Sequence, residues 1–208
     1  MKKPQREIAL QFDFQDKETR MNQRNSATHP RQHGPWTILQ STEAYRDPWM
    51  TVIRDEVIRP DGNPGTYSVA HIKSGVSVLA IDKDNNVYLT EEFHYAVGRV
   101  TLETASGGTE PGEDALETAK RELQEELGIT AASWTDMGIC DPFTATMLSP
   151  TRLFVARELT FGDQNLEGTE QIRCVKISLD EAVEKVIESE ISHAPSALLI
   201  LKAARENS

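Results

Sequence analysis

Ser106-Gly-Gly-Thr-Glu-Pro-Gly-Glu-Asp-Ala-Leu-Glu-Thr-Ala-Lys-Arg-Glu-Leu-Gln-Glu-Glu-Leu-Gly128 passes from a glycine-rich start into a densely acidic run. Leu116, Ala119, Leu123 and Leu127 fall at i, i+3, i+7 and i+11, which predicts a helix over Glu113 to Leu127, with Gly128 where a C-cap belongs. Glu122, Glu125 and Glu126 stand at i, i+3 and i+4, so they converge on one helix face at the edge of the leucine stripe. Like charges at that spacing destabilise a helix unless the face is solvated or a cation neutralises it. Oxygen ligands without a neighbouring His or Cys favour Mg2+ or Mn2+ over zinc. Ser106 to Gly112 can bend sharply and bring backbone carbonyls toward the carboxylates, adding a further hard ligand. Loop, glutamate helix and hard cation together point to phosphate chemistry.

On either side of this run the patterning is strand-like. Met50 to Ile58 is β-branched and partly alternating, Pro60 to Gly65 is a cluster of turn formers, and Thr66 to Ile72 is extended again, which reads as a hairpin. Val76 to Ile81 and Val87 to Thr90, joined by Asp82-Lys-Asp-Asn-Asn86, read as a second hairpin whose first strand is apolar on both faces and therefore buried. Further strands are expected over Trp134 to Cys140, Arg152 to Glu158 and Gln171 to Ile177. Ser178-Leu-Asp-Glu181 is a capping-box pattern opening a helix to about Ser189, and Pro195 opens a last helix to about Glu206. Strands, helix, strands and helices in that order fit an α+β sandwich.

The chain of 208 residues carries 22 Lys and Arg against 33 Asp and Glu, a net charge of −11. Residues 1–35 form a polar arm with seven basic and four acidic residues, which leaves 15 basic and 29 acidic, or −14, on the body. The arm reads either as a flexible terminus or as a segment that orders on a partner subunit. With 38% apolar and 26% charged residues the body can build a core. No run approaches the roughly 18 apolar residues of a membrane span, and no export leader is recognisable, so a cytoplasmic protein is expected. Cys140 and Cys174 are too few and too far apart for a disulfide framework. Such negative charge repels nucleic acid, and repels a nucleotide too unless metal cations intervene.

Gly107, five residues, Glu113, seven residues, Arg121-Glu122-Leu123, one residue, Glu125-Glu126, one residue, Gly128-Ile129 resembles a complete Nudix box. Asp47-Pro-Trp49, Pro60-Asp-Gly62, Tyr95 to Glu103 and Glu170-Gln-Ile172 extend the likeness to the ADP-ribose pyrophosphatase and nucleoside-diphosphate-sugar branch, over about Tyr45 to Ala204. The resemblance implies a Nudix α/β/α sandwich with a mixed sheet over 75–208, preceded by an N-terminal strand region over 36–74 that serves dimerisation and base binding. It implies two or three Mg2+ ions, with Mn2+ as substitute, held by Glu122, Glu125, Glu126 and the Ser106 carbonyl. Arg121 and Glu113 then orient loop and helix, with Gly107 and Gly128 in support. Glu170 matches the carboxylate that activates water, with Glu167 as its competitor. Arg99 and Glu103 would line the pyrophosphate and ribose region, and Trp49 would stack on the base, with plain packing at a subunit interface as its alternative.

The implied reaction is hydrolysis of the diphosphate in a nucleoside diphosphate sugar, giving a nucleoside monophosphate and a sugar phosphate, by a homodimer. Hydrolysis of nucleoside triphosphates or dinucleoside polyphosphates, and non-catalytic sensing of nucleotide sugars, are the alternatives. The chain departs from the branch at Ala105-Ser106-Gly107, where relatives read Pro-Ala-Gly, and at Ser149-Pro-Thr151, Thr144-Ala145 and His94, where relatives carry Ser-x-Glu, proline and arginine. These departures leave base and sugar open.

Overall fold

The computed structural model describes residues 30–166, 168 and 171–206. The chain divides between Ala70 and His71 into two compact units.

In the first unit β1 (Arg31–His33), β2 (Trp36–Arg46), β3 (Met50–Ile58) and β4 (Pro64–Ile72) follow one another across a sheet. β1 lies inside the stretch read as the polar arm and pairs antiparallel with β2, Gln32 opposite Thr37. In β3 the buried Ile53, Asp55 and Val57 alternate with exposed Arg54 and Glu56, the period of a half-buried strand. Asp55 is tolerated there because it accepts the Ser41 hydroxyl at 2.5 Å. The expected turn after β3 is present: Gly62 takes φ +82°, and the Asp61 carboxylate caps the Asn63 amide at 3.0 Å.

The second unit holds β5 (Gly75–Ile81), β6 (Asn86–His94), β7 (Arg99–Glu103), β8 (Ala105–Gly108), α1 (Ala115–Leu127), β9 (Ile129–Cys140), the short β10 (Met147–Leu148), β11 (Thr151–Phe161), β12 (Arg173–Ser178), α2 (Leu179–Ile187) and α3 (Ala194–Glu206). Its mixed sheet runs β12-β6-β5-β11-β9, with β5 and β11 parallel and β9 antiparallel to β11. Helix α1 covers one face over Val76, Val78, Ala80, Ala105 and Phe154. Helices α2 and α3 cover the other over Leu79, Ile81, Leu89, Leu153 and Val155. Both faces of β5 are thus buried, which is why it reads as a nearly continuous apolar run, interrupted at Ser77.

Strands β5 and β6 pair directly only at Ala80 with Tyr88 and Ile81 with Val87. Beyond that they part, and the chain from Arg99 to Gly108 enters the fork, β7 on β6 and β8 on β5. This corrects the expectation that the glycine stretch from Ser106 is a bend from its start. Ser106, Gly107 and Gly108 are held as strand opposite Ser77, Val76 and Gly75, because β5 donates the pairing that glycine does not favour alone. The bend falls later, at Gly112 with φ +81°.

Candidate active site

Helix α1 begins at Ala115, two residues later than its periodicity suggests, because Asp114 caps it by accepting the Leu116 amide at 2.8 Å. It ends at Gly128, whose φ of +65° lets its amide return to the Gln124 carbonyl at 2.9 Å. Along the helix, Glu122 and Glu126 are 9% and 7% exposed, and Glu125 stands between them with a partly exposed side chain. Two buried carboxylates one helical turn apart need partners.

Arg121 supplies the first. Its guanidinium grips Glu113 in bidentate fashion at 3.1 and 3.2 Å, and one Nη reaches Glu122 at 2.8 Å and Glu125 at 3.0 Å. The other Nη donates to the Gly108 carbonyl at 3.2 Å, tying the helix to β8. The hydrogen bonds from Arg121 draw the Glu113 carboxyl down to about 2, and the same pairing holds Arg121 firmly protonated. Glu126 is oriented separately, its Oε2 accepting the Ser106 amide at 3.0 Å. Gly107 lies between these contacts, and a Cβ there would overlap the Glu122 carboxylate.

Glu113, Glu122, Glu125 and Glu126 with Arg121 sum to −4 + 1 = −3. Among the described residues no three His, Cys, Asp or Glu side chains are already gathered in a position to hold a metal ion. The glutamates are arranged instead about the Arg121 guanidinium, which bridges Glu122 and Glu125 as a cation would. The donor set, all carboxylate and carbonyl oxygen, fits a hard divalent cation and not zinc.

The carboxyl end of α1 is tied to the segment after β11. Gly162 N donates to the Gly128 carbonyl at 2.7 Å, Asn165 N to the Glu125 carbonyl at 3.0 Å, and the Gln164 amide to the Glu126 carbonyl. These bonds satisfy carbonyls that a helix end otherwise leaves open. Nothing local in the sequence marks Gln164 or Asn165 for this task. Glu167 and Glu170, further along, lie outside the described residues.

Glu103 sits at the end of β7, buried. Its Oε1 accepts the Thr101 hydroxyl at 2.7 Å and lies 3.3 Å from His94 Nε2, while Oε2 lies 3.0 Å from His193 Nδ1. Burial acts to raise the Glu103 carboxyl, but the His193 contact, helped by Thr101 and His94, outweighs it and leaves the group below its ordinary value. Arg99, at the start of β7, donates to the Ser192 hydroxyl at 2.7 Å. Neither histidine partner of Glu103 was marked as functional by the sequence. In the first unit Trp49 is 74% exposed, in the turn between β2 and β3, where Asp47 Oδ1 accepts the Trp49 and Met50 amides at 2.8 and 2.7 Å.

Comparison with known proteins agrees with this architecture. Residues 36–70 match the nucleoside diphosphate sugar hydrolase N-terminal domain, and residues 71–195 match the NUDIX domain. The chain is 27% identical over 154 residues to an ADP-ribose pyrophosphatase of Bacillus subtilis (strain 168), covering 70% of this chain and 80% of that protein. It is 26% identical over 150 residues, with the same coverage, to a methanol dehydrogenase activator of Bacillus methanolicus. A crystal structure of an ADP compounds hydrolase superposes with a TM-score of 0.72 at 20% identity, covering 84% of this chain and 95% of that one, a likeness of fold. With the NUDIX match spanning more than half its length, and the glutamate helix and its glycine strand inside that match, the chain belongs to the Nudix family.

Proposed function

We propose a specific reading of how this site works. The protein is a Nudix pyrophosphohydrolase that cleaves the diphosphate linkage of a nucleoside diphosphate sugar, releasing a nucleoside monophosphate and a sugar phosphate. The observation that carries the reading is the buried pair Glu122 and Glu126, set beside Glu125, with Gly107 leaving room for the Glu122 carboxylate and the Ser106 amide holding Glu126.

Glu122, Glu125, Glu126 and the Ser106 carbonyl would hold two or three Mg2+ ions, with Mn2+ as a substitute. When bound, such ions neutralise the diphosphate and make a coordinated water more acidic. The chain's own residues do the rest. Arg121 and Glu113 fix the helix against β8, so the carboxylates are oriented before a ligand arrives. Glu170 takes the proton of the attacking water, with Glu167 as its competitor. Arg99 and Glu103 line the diphosphate and ribose region, and Trp49, exposed and held at its backbone by Asp47, stacks on the base.

The working form is a homodimer, for which the exposed Leu39, Tyr45 and Trp49 of the first unit offer apolar surface. The setting is the cytoplasm, where the free thiols of Cys140 and Cys174 stay reduced. Among the described residues no helix is long and apolar enough to cross a membrane.

The test is product analysis with ADP-ribose, GDP-mannose, a dinucleoside tetraphosphate and dGTP, each with Mg2+ and with Mn2+. A nucleoside monophosphate plus sugar phosphate from one of the first two supports the reading. Turnover confined to the last two overturns the substrate class. Tight binding with no product over hours replaces the hydrolase with a sensor. Light scattering that finds a stable, active monomer removes the dimer.

A further inference from the structure

Ser77, Thr104 and Ser196 are three fully buried hydroxyl residues in the body of the second unit. Thr104 Oγ1 shares hydrogen bonds with Ser77 Oγ at 2.5 Å and with Ser196 Oγ at 3.0 Å. Ser196 Oγ also accepts the Thr104 backbone amide at 2.9 Å and meets His193 Nδ1 at 2.8 Å, and that same nitrogen faces Glu103. Buried polar groups of this kind are stabilising only when every member is satisfied, and they then fix one arrangement of the elements they join. Ser196 is on α3 and His193 immediately precedes it, on the face of the sheet away from α1.

Thr104 is the single residue between β7 and β8. Two residues on, the Ser106 amide is bonded to Glu126 of α1, and Ala105 between them is buried in the cluster beneath that helix. The chain is therefore gripped at Thr104 from the α3 side and at Ser106 from the α1 side. A fully buried residue between two strands, gripped through its own amide, has almost no freedom to shift along the chain.

We infer that Ser196, held by His193, is a positioning residue for the metal-binding strand. Through the Thr104 amide it sets where Ser106 and Gly107 stand against Glu126 and Glu122, although it touches neither metal nor substrate. This rests on the proposed reading of the glutamates as cation ligands.

Mn2+ binding, followed by electron paramagnetic resonance and calorimetry on the folded full-length protein, tests it. Ser196→Ala leaves the Thr104 amide without its acceptor and is expected to weaken Mn2+ binding about 10-fold, the lower end for groups that act behind metal ligands. His193→Ala, at a partly exposed position, is expected to weaken it in the same direction and decides the matter should Ser196→Ala not fold. Ile200→Val, equally buried on the same helix but outside the hydroxyl chain, serves as control. It should lower the melting temperature and leave Mn2+ affinity unchanged. A folded Ser196→Ala and His193→Ala that both bind Mn2+ like the wild type overturn the positioning role. A control that loses affinity in step with its melting temperature overturns it as well, by reducing the effect to general stability. Wild-type protein that binds no Mn2+, or binds it undiminished after Glu126→Gln, overturns the underlying ligand assignment instead, and the positioning role with it.

Discussion

The Glu122 carboxylate lies directly against the Cα of Gly107, so that a Cβ on residue 107 would overlap its Cδ and both oxygens. The clash is with a charged group that Arg121 also holds, and Glu122 has little room to retreat. Gly107→Ala is expected to displace that carboxylate and lower kcat/KM by about 100-fold, on the order of 3 kcal/mol of transition-state stabilisation. Steady-state kinetics check it, and activity within about threefold of wild type would show that the site does not depend on the close approach.

Glu126→Gln keeps the shape of the side chain and an oxygen for the Ser106 amide, but removes a charge. The fold should persist by circular dichroism, while kcat falls 100-fold or more, about 3 kcal/mol. Near-normal turnover would reject Glu126 as a ligand.

Glu113 and Arg121 make the protein's stability depend on acid. The folded Glu113 value, about 2, lies below its ordinary 4.5, so the pair adds stability that is fully present above about pH 4.5 and is lost as pH falls toward 2. The melting-temperature gap between wild type and Glu113→Gln should be widest near neutral pH and close progressively below about pH 4.5. A gap that is unchanged from neutral pH to about pH 3 would contradict this linkage.

Gly128→Ala combines two penalties. The φ of +65° disfavours a side chain, and a Cβ would stand 2.5 Å from the Gly162 carbonyl oxygen and 2.9 Å from the Asp163 carbonyl carbon. The left-handed backbone alone accounts for about 1–2 kcal/mol, and the overlap adds to it by pushing the 162–165 segment off the end of α1. Urea unfolding should report a loss of at least that size. Faster amide exchange at Asn165 would locate the damage.

Local chemistry made α1 legible: the leucine period, and Gly128 as a stop. The same holds for the Ser178 cap of α2, whose hydroxyl accepts the Glu181 amide at 3.1 Å. The apolar run of β5 announced burial on both faces for a similarly local reason. β8 was not legible, since two glycines have no strand preference and the pairing comes from β5, about thirty residues earlier. β9 runs back to Ile129, well before the expected start at Trp134, because its length is set by antiparallel pairing with β11 and not by its own alternation. In the candidate site, the acidic face of α1 could be read from spacing alone. The bond from Arg99 to Ser192 spans 93 residues, and the contact of Glu103 with His193 is of similar reach; only the folded topology creates them.

The wedge formed by Arg99 to Gly108 between β6 and β5 makes chain length there a fixed quantity. One residue added or removed between Glu103 and Ser106 would put every following side chain on the opposite side of the ribbon, exchanging what α1 meets for what α3 meets. Sequence drift in this enzyme can therefore change the letters of that decapeptide far more readily than its count.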